Sequence, residues 1–332
     1  MQKSFMVQST LVGCQKPVQS RRSKDILFIA ALVFFVILFW ERFLIGLGLH
    51  SVPLAGGHGA KEIPFVKKES IESPLVTLVI LTYNKTELLR KALMTIMVQD
   101  VDFPYELIVV DNGCFDDTVK TVKRLVPDAK YVPLCSNPGY AAGNNQGVAS
   151  AASSSKWLLF LNDDLEFEDN FLQSLVDMVR IHPDAGGAGC KLVSADGSKL
   201  LEAGSIIWRD GSCYPYGRDE DPNSWEYNFA RPVDYVSGAC LMVDREDFLD
   251  YGGFDTVAYD AYYEDTDLQM HINHALNKNI WFQPLAVARH QEHASFTHSG
   301  AVQLMQVRIQ NDLLYLIAVF WHQFCTQLMV FS

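Results

Sequence analysis

Between Leu75 and Ile181 the apolar residues fall into short runs that stop abruptly at polar ones. VTLVILTYN (76–84) is a β-branched run with a polar end. ELIVVDNG (106–113) ends in Asp111 and Asn112, and Trp157–Leu161 ends in Asn162-Asp163-Asp164. Runs apolar at consecutive positions belong to strands buried on both faces. Lys130–Leu134 reads as a shorter strand. Between the runs the period changes. Leu88, Leu89, Ala92, Leu93, Ile96 and Met97 share one helical face, and further helices are expected at about 116–125, up to about 152 and at about 168–181. Asn84 with Glu87 three residues on is a capping-box pattern. Four strands alternating with helices predict an α/β domain whose central sheet is mostly parallel and flanked by helices.

The second half is less regular. CKLV (190–193), GSIIW (204–208) and VDYVSGACLMVD (233–244) read as strands. The stretch 209–232, rich in Asp, Pro, Gly, Tyr and Trp, reads as a loop lining or covering a site. A helix is expected over Glu264–Leu276, opened by YYEDTD. An extended segment over 280–290 ends in His290, and an amphipathic helix follows from about Val302 to Phe324.

Ahead of this body lie three further segments. Residues 1–25 form a basic tail with Lys3, Lys16, Arg21, Arg22 and Lys24. Residues 26–49 read as a membrane anchor: Ile26–Trp40 is apolar throughout, Glu41 and Arg42 interrupt, and Phe43–Leu49 resumes. As a helix the first run spans about 22 Å against roughly 30 Å of hydrocarbon, a gap that snorkelling by Arg42 or a thin bilayer would close. Residues 50–74, with repeated Pro and Gly, read as a stalk, and 75–332 as the catalytic domain. The basic side is N-terminal, which predicts a cytosolic N-terminus and a translocated body.

Composition narrows the class. With 49% hydrophobic and 20% charged residues the chain is globular, and a net charge of −12 with no basic run in the body argues against a nucleic-acid partner. The seven cysteines are scattered without a CxxC pair, which argues against a structural zinc site.

The candidate chemistry sits at the strand ends. In an open α/β sheet, ligands bind outside the carboxyl ends of the strands. Thr82-Tyr83-Asn84, Asp111-Asn112 and Asn162-Asp163-Asp164 therefore converge on one edge and suggest a nucleotide site. Asp111 suits a base N–H or a ribose hydroxyl. Asp163 and Asp164, read blandly, form an acidic turn; read functionally, they are hard oxygen ligands for Mg2+ or Mn2+ carrying substrate phosphates. NPGYAAGNN (137–145) places small residues where a backbone approaches a ligand or where a helix packs tightly on the sheet. It is neither GxGxxG nor a Walker A loop. Glu264 and Asp265 open a helix, where acidic residues also serve the helix dipole. The sequon Asn84-Lys85-Thr86 occupies the expected nucleotide loop, so a glycan there would block binding.

Taken in order, TYN (82–84), VVDNG (109–113), NPGYAAGNN (137–145), LNDD (161–164), SGACLMVDRE (237–246), GGFD (252–255) and YYEDTDL (262–268), with His290 and Ser295, resemble glycosyltransferase family 2. These are inverting enzymes of GT-A fold, and the likeness is to the rhamnosyltransferase-like branch, over about residues 75–315. The resemblance implies that Thr82, Tyr83, Asn84, Asp111 and Asn112 hold the nucleoside, and that Gly139, Gly143 and Asn144 lie along the donor. It implies that Asp164 and His290 bind the Mn2+ or Mg2+, with His293 a rival ligand and Asp163 on ribose or water. Asp265, with Glu264 beside it, would be the catalytic base. The implied activity is that of an inverting, metal-dependent hexosyl- or deoxyhexosyltransferase, moving sugar from a nucleotide-sugar donor to a hydroxyl of a glycan or glycoconjugate. With the body translocated, the expected location is a single-pass type II protein of the Golgi or endoplasmic reticulum. The alternatives are a polyprenyl-phosphate or glycolipid glycosyltransferase with a cytosolic body, and a catalytically dead glycan-binding relative.

Overall fold

A computed structural model describes residues 73–208, 212–259 and 262–291. The expected tail at 1–25, anchor at 26–49, most of the stalk at 50–74, the helix at 302–324 and His293 lie outside the described residues. Among the described residues no helix is long and apolar enough to cross a membrane.

The first half follows the apolar runs. Strands β1 (Val76–Thr82), β2 (Tyr105–Asp111), β3 (Lys130–Pro133) and β4 (Trp157–Asn162) alternate with helices α1 (Thr86–Ile96), α2 (Thr118–Leu125) and α3 (Tyr140–Ala149). After β4 come β5 (Leu165–Phe167), α4 (Phe171–Ile181) and β6 (Ala185–Ser194). The second half adds β7 (Leu200–Glu202), β8 (Ser205–Ile207), β9 (Cys213–Pro215), β10 (Arg231–Val233), β11 (Cys240–Asp244), α5 (Arg245–Tyr251), α6 (Glu264–His274) and β12 (Asn279–His290).

The main sheet runs β10-β12-β6-β11-β4-β1-β2-β3, with β5 on β12 and β7 on β6. β1 pairs in parallel with both β2 and β4, and β2 with β3, as the alternation of strands and helices requires. The expectation of a mostly parallel sheet fails beyond β4: β11 lies antiparallel to both β4 and β6, and β10 and β5 lie antiparallel to β12. The sheet is therefore mixed. The long strand expected at 233–244 is broken, because Asp234–Ala239 leaves the sheet between β10 and β11.

Both faces are covered, which is why the central strands carry apolar residues at consecutive positions. Leu78, Ile80 and Leu159 point into one core with Leu89, Leu93 and Ile96 of α1 and Phe171 and Leu175 of α4. Val79, Leu158 and Phe160 point into the other with Val148 of α3, Phe248 of α5, and Leu268 and Ile272 of α6. Fully burying one such side chain contributes about 1.5–3 kcal/mol, so the strands' depth, not their ladders alone, fixes the position of their polar ends.

Candidate active site

The carboxyl ends of β1, β2 and β4 come out on one edge in register: Thr82 pairs with Asp111, and Leu81 with Asn162. Asp163 and Asp164 follow β4 immediately, and both are buried rather than solvated. The Thr82 hydroxyl donates to Asp163 Oδ2 at 2.6 Å. Burial, with the Asp164 carboxylate beside it, nevertheless pushes the Asp163 carboxyl up to about 7. Two adjacent carboxylates out of water are tolerated only with a shared proton or a cation.

His290 reaches Asp164 through β5, a strand the sequence reading missed. β5 turns back from the acidic pair and lies antiparallel to the end of β12, placing His290 opposite Leu165. Asp164 Oδ1 and His290 Nε2 stand 3.1 Å apart, without hydrogen-bond geometry. Asp164 Oδ1 and His290 Nδ1 are buried with no hydrogen-bond partner. An orphaned buried oxygen costs about 1–3 kcal/mol, and a cation between carboxylate and imidazole removes that cost. Among the described residues no group of three or more His, Cys, Asp or Glu is placed to hold a metal ion. Two protein ligands suit Mg2+ or Mn2+, which keep positions for water and substrate phosphate.

At the nucleoside end, Asp111 organises its own loop. Its Oδ1 accepts from the Cys114 amide at 2.6 Å, and its Oδ2 accepts from the Tyr131 hydroxyl. Asn84 has a left-handed backbone (φ 53°), its amide donates to Cys114 Sγ, and its Oδ1 accepts from Phe115 N at 2.9 Å. That turn leaves Tyr83 exposed, edge-on to Phe115 with ring centroids 6.4 Å apart. Asn112 Nδ2 donates to Asn137 Oδ1 at 2.7 Å, and the same oxygen takes the Gly139 amide at 2.9 Å. Gly143 and Asn144 are buried in α3. A Cβ on Gly143 would lie 2.6 Å from Leu81 Cδ1, so this glycine lets α3 lie on β1. A cleft of about 690 Å3 opens nearby between Lys85, Asp116, Lys120 and Arg124. It shares only the Asn84 turn with the acidic edge, so the carboxylates define the site.

The second acidic corner lies at the start of α6. Tyr262 and Tyr263 both have positive φ, 68° and 70°, a rare backbone for bulky residues that turns the chain sharply into Glu264. Asp265 Oδ2 accepts from Gly238 N at 2.6 Å and Oδ1 from Thr266 N at 2.8 Å. Glu264 is buried, and its Oε2 has no partner. Burial and the neighbouring Asp265 push the Glu264 carboxyl up to about 8. Asp265 is also raised by burial, but its backbone N–H bonds act the other way. Burial holds both carboxyls of the pair above the ordinary range, while the Gly238 and Thr266 amides favour the charged form of Asp265.

Sequence reasoning missed several residues here. Glu202, at the end of β7, accepts from Ser237 N at 2.8 Å, one residue before the amide that holds Asp265. Burial pushes its carboxyl up to about 7, with the Asp265 charge adding to the rise. The Tyr140 hydroxyl donates to Gly238 O at 2.6 Å and ties α3 to that turn. Tyr140 and Gly238 fall inside motifs already singled out; Tyr131 and Glu202 carry no local signal.

The mixed α/β fold thus carries one buried acidic pair at the ends of its parallel strands and a second acidic pair at the start of α6. Residues 77–229 match the sequence profile of Glycosyl transferase family 2, so the chain carries a glycosyltransferase domain of that family. An N-acetylglucosaminyl-diphospho-decaprenol L-rhamnosyltransferase of Mycobacterium tuberculosis is 25% identical over 240 residues, 67% of this chain and 78% of that one. A GalNAc(5)-diNAcBac-PP-undecaprenol beta-1,3-glucosyltransferase of Campylobacter jejuni is 32% identical over 107 residues, 31% of this chain and 34% of that one. The mannosyltransferase PcManGT of Pyrobaculum calidifontis, solved with GDP-Man and Mn2+, shares the fold with TM-score 0.52 and 19% identity, over 86% of this chain and 73% of that one. The two relatives come from bacteria, which have neither Golgi nor endoplasmic reticulum, and this overturns the expected lumenal type II location.

Proposed function

We propose that the protein is an inverting, Mn2+- or Mg2+-dependent transferase that moves a hexose or deoxyhexose from a nucleoside-diphosphate sugar to a hydroxyl of a polyprenyl-diphosphate-linked glycan. The activities of the bacterial relatives support the acceptor class. The observation that carries the chemistry is the division of labour between two acidic corners. One offers an orphaned Asp164 oxygen beside His290, the other an Asp265 held by the Gly238 and Thr266 amides beside Glu264, whose Oε2 has no partner.

Asp164 and His290 would hold the cation, which would supply positive charge against the leaving diphosphate. Thr82 fixes Asp163, which would serve the ribose or a water. Tyr83, Asn84, Asp111 and Asn112 border the nucleoside, and Gly139, with Gly143 and Asn144 behind it, backs the donor. Asp265 accepts the acceptor's proton as that hydroxyl attacks the anomeric carbon from the face opposite the diphosphate. Its two backbone N–H bonds leave lone pairs free for the proton. One displacement inverts the anomeric centre. Asp111, Asp164, Asp265 and His290 are all present, which argues against a dead, glycan-binding relative.

The test is a panel of nucleoside-diphosphate sugars offered to the full chain with Mn2+, Mg2+ or excess chelator, with a polyprenyl-diphosphate N-acetylglucosamine acceptor. Metal-dependent transfer with inverted configuration by NMR is expected. Transfer that survives chelation refutes the metal role; retained configuration refutes the single displacement.

A further inference from the structure

The hairpin of β8 and β9 has two unlike faces. Its strands pair Ile206 with Tyr214 and Ile207 with Cys213. Successive residues of a strand point to opposite faces. Ile207 and Cys213 turn inward and pack against buried Tyr259 and Tyr263. Tyr263 is the residue immediately before Glu264 and Asp265. The hairpin is tied to the same corner on its other side: Ser205 bridges to Tyr235, and Ile207 N donates to Asp234 Oδ2 at 2.8 Å, just ahead of the Ser237–Gly238 turn that holds Glu202 and Asp265.

The outer face is aromatic and open. Trp208 is 56% exposed, Tyr214 63%, Tyr216 37% and Ile206 37%. With Ser212 and Pro215 they line a cleft of about 740 Å3. That volume is in the range of small-molecule sites. Tyr216 packs edge-on against Tyr227 and beneath Arg231, but leaving the Trp208 and Tyr214 rings in water on a hairpin braced against the base's helix has no packing rationale.

Two chemistries suit exposed Trp and Tyr rings: a bilayer interface and a sugar. Charge separates them. The chain is −12 overall, and the residues that line the cleft include no Lys or Arg. Anionic lipid attracts basic segments, and this lining offers none. A neutral pyranose has an apolar C–H face for the flat rings and a hydroxyl rim for the phenols and Ser212.

We propose that the outer face of the β8–β9 hairpin, built on Trp208, Tyr214 and Tyr216, is a saccharide-stacking subsite for the sugar of the acceptor. The inference rests on the transferase reading above and assigns that reading's acceptor a place. Because the inner face of the hairpin packs on Tyr263, a sugar held on the outer face is held by the element that braces the base.

The experiment has two arms on the full chain. In the first, neutral methyl glycosides (glucose, galactose, mannose, rhamnose, N-acetylglucosamine) are screened without donor by saturation-transfer NMR, on wild type and on Trp208→Ala, Trp208→Phe and Tyr214→Ala. Contacts to ring C–H protons are expected in wild type and in Trp208→Phe, and weakened by about tenfold in each alanine variant. In the second, the loss on transfer falls on the acceptor KM and not on the donor KM. If both alanine variants bind saccharide and use acceptor like wild type, the proposal is overturned. It is also overturned if they lose only binding to phosphatidylcholine–phosphatidylglycerol vesicles, which assigns the cleft to lipid. The arms separate the two readings, since saccharide binding without any donor turnover refutes the transferase reading and leaves the subsite standing.

Discussion

Replacing Asp265 by Asn exchanges one oxygen for an amide, and the local geometry sets what that does. Two backbone donors converge on the carboxylate, Gly238 N on Oδ2 and Thr266 N on Oδ1. An asparagine has one carbonyl oxygen, so in either orientation its NH2 faces one of those amides. One donor then loses its acceptor, at a cost of about 1–3 kcal/mol in stability. The rate should fall by about 10²- to 10⁴-fold, the usual contribution of a general base. A second effect opposes the first. The Asp265 charge helps to hold the Glu264 carboxyl up at about 8. Without it Glu264 ionises at lower pH and serves as a poorer, displaced base. The residual rate of Asp265→Asn should therefore follow the ionisation of Glu264 and vanish in the double variant Asp265→Asn/Glu264→Gln. Glu264→Gln alone should be milder, because Glu264 Oε2 has no hydrogen bond to lose. Donor affinity, set by the other sheet edge, should hardly change. The assay pairs calorimetric donor binding in Mn2+ with transfer rates from pH 5 to 9, and thermal melting corrects for any unfolded fraction. Normal turnover by Asp265→Asn with a dead Glu264→Gln moves the base one residue. Full activity in both refutes the assignment.

Asp164→Ala and His290→Ala should each weaken Mn2+ binding in the presence of a nucleoside diphosphate and cut transfer by about 100-fold or more, while Asp163→Ala does less; titration calorimetry of Mn2+ checks this. Gly143→Ala forces a methyl to within 2.6 Å of Leu81 Cδ1 and 3.1 Å of Asn112 Oδ1, so urea unfolding should show a loss of about 1–3 kcal/mol. Stability should fall as pH rises from about 4 to 8, because Glu202 (about 7) and Glu264 (about 8) are raised above the ordinary carboxylate value of about 4. The folded chain then holds more protons than the unfolded one through that window, and each group contributes up to about 1.4 kcal/mol per pH unit. Urea midpoints at pH 5, 6, 7 and 8 test it: Glu202→Gln should flatten the slope, and a wild-type curve that rises with pH contradicts the sign.

The alternation of apolar runs and helical faces from Val76 to Ile181 was decided by sequence alone. A strand buried on both faces must be apolar at consecutive positions, and β1, β2 and β4 appear where those runs lie. The acidic strand ends followed from the same pattern, since parallel strands deliver their carboxyl ends to one edge. What the sequence did not contain was how distant segments meet. Only CKLV (190–193) reads as a strand there, yet β6 runs ten residues from Ala185. Its glycines are there because α6 and the 234–239 segment lie directly on it: a Cβ on Gly186 would fall 2.3 Å from Ile272 Cγ2, and one on Gly189 2.5 Å from Val236. The antiparallel entry of β11 turned an expected parallel sheet into a mixed one. Three-residue β5, too short to show a period, is what brings His290 to Asp164 across more than a hundred residues of chain. Likewise Glu202 has no motif around it, and only the Ser237–Gly238 turn, whose consecutive amides reach two carboxylates, joins it to Asp265. Local patterning sets which residues are buried; close approach between elements is a property of the packed whole, and that alone decided which buried carboxylates share a corner.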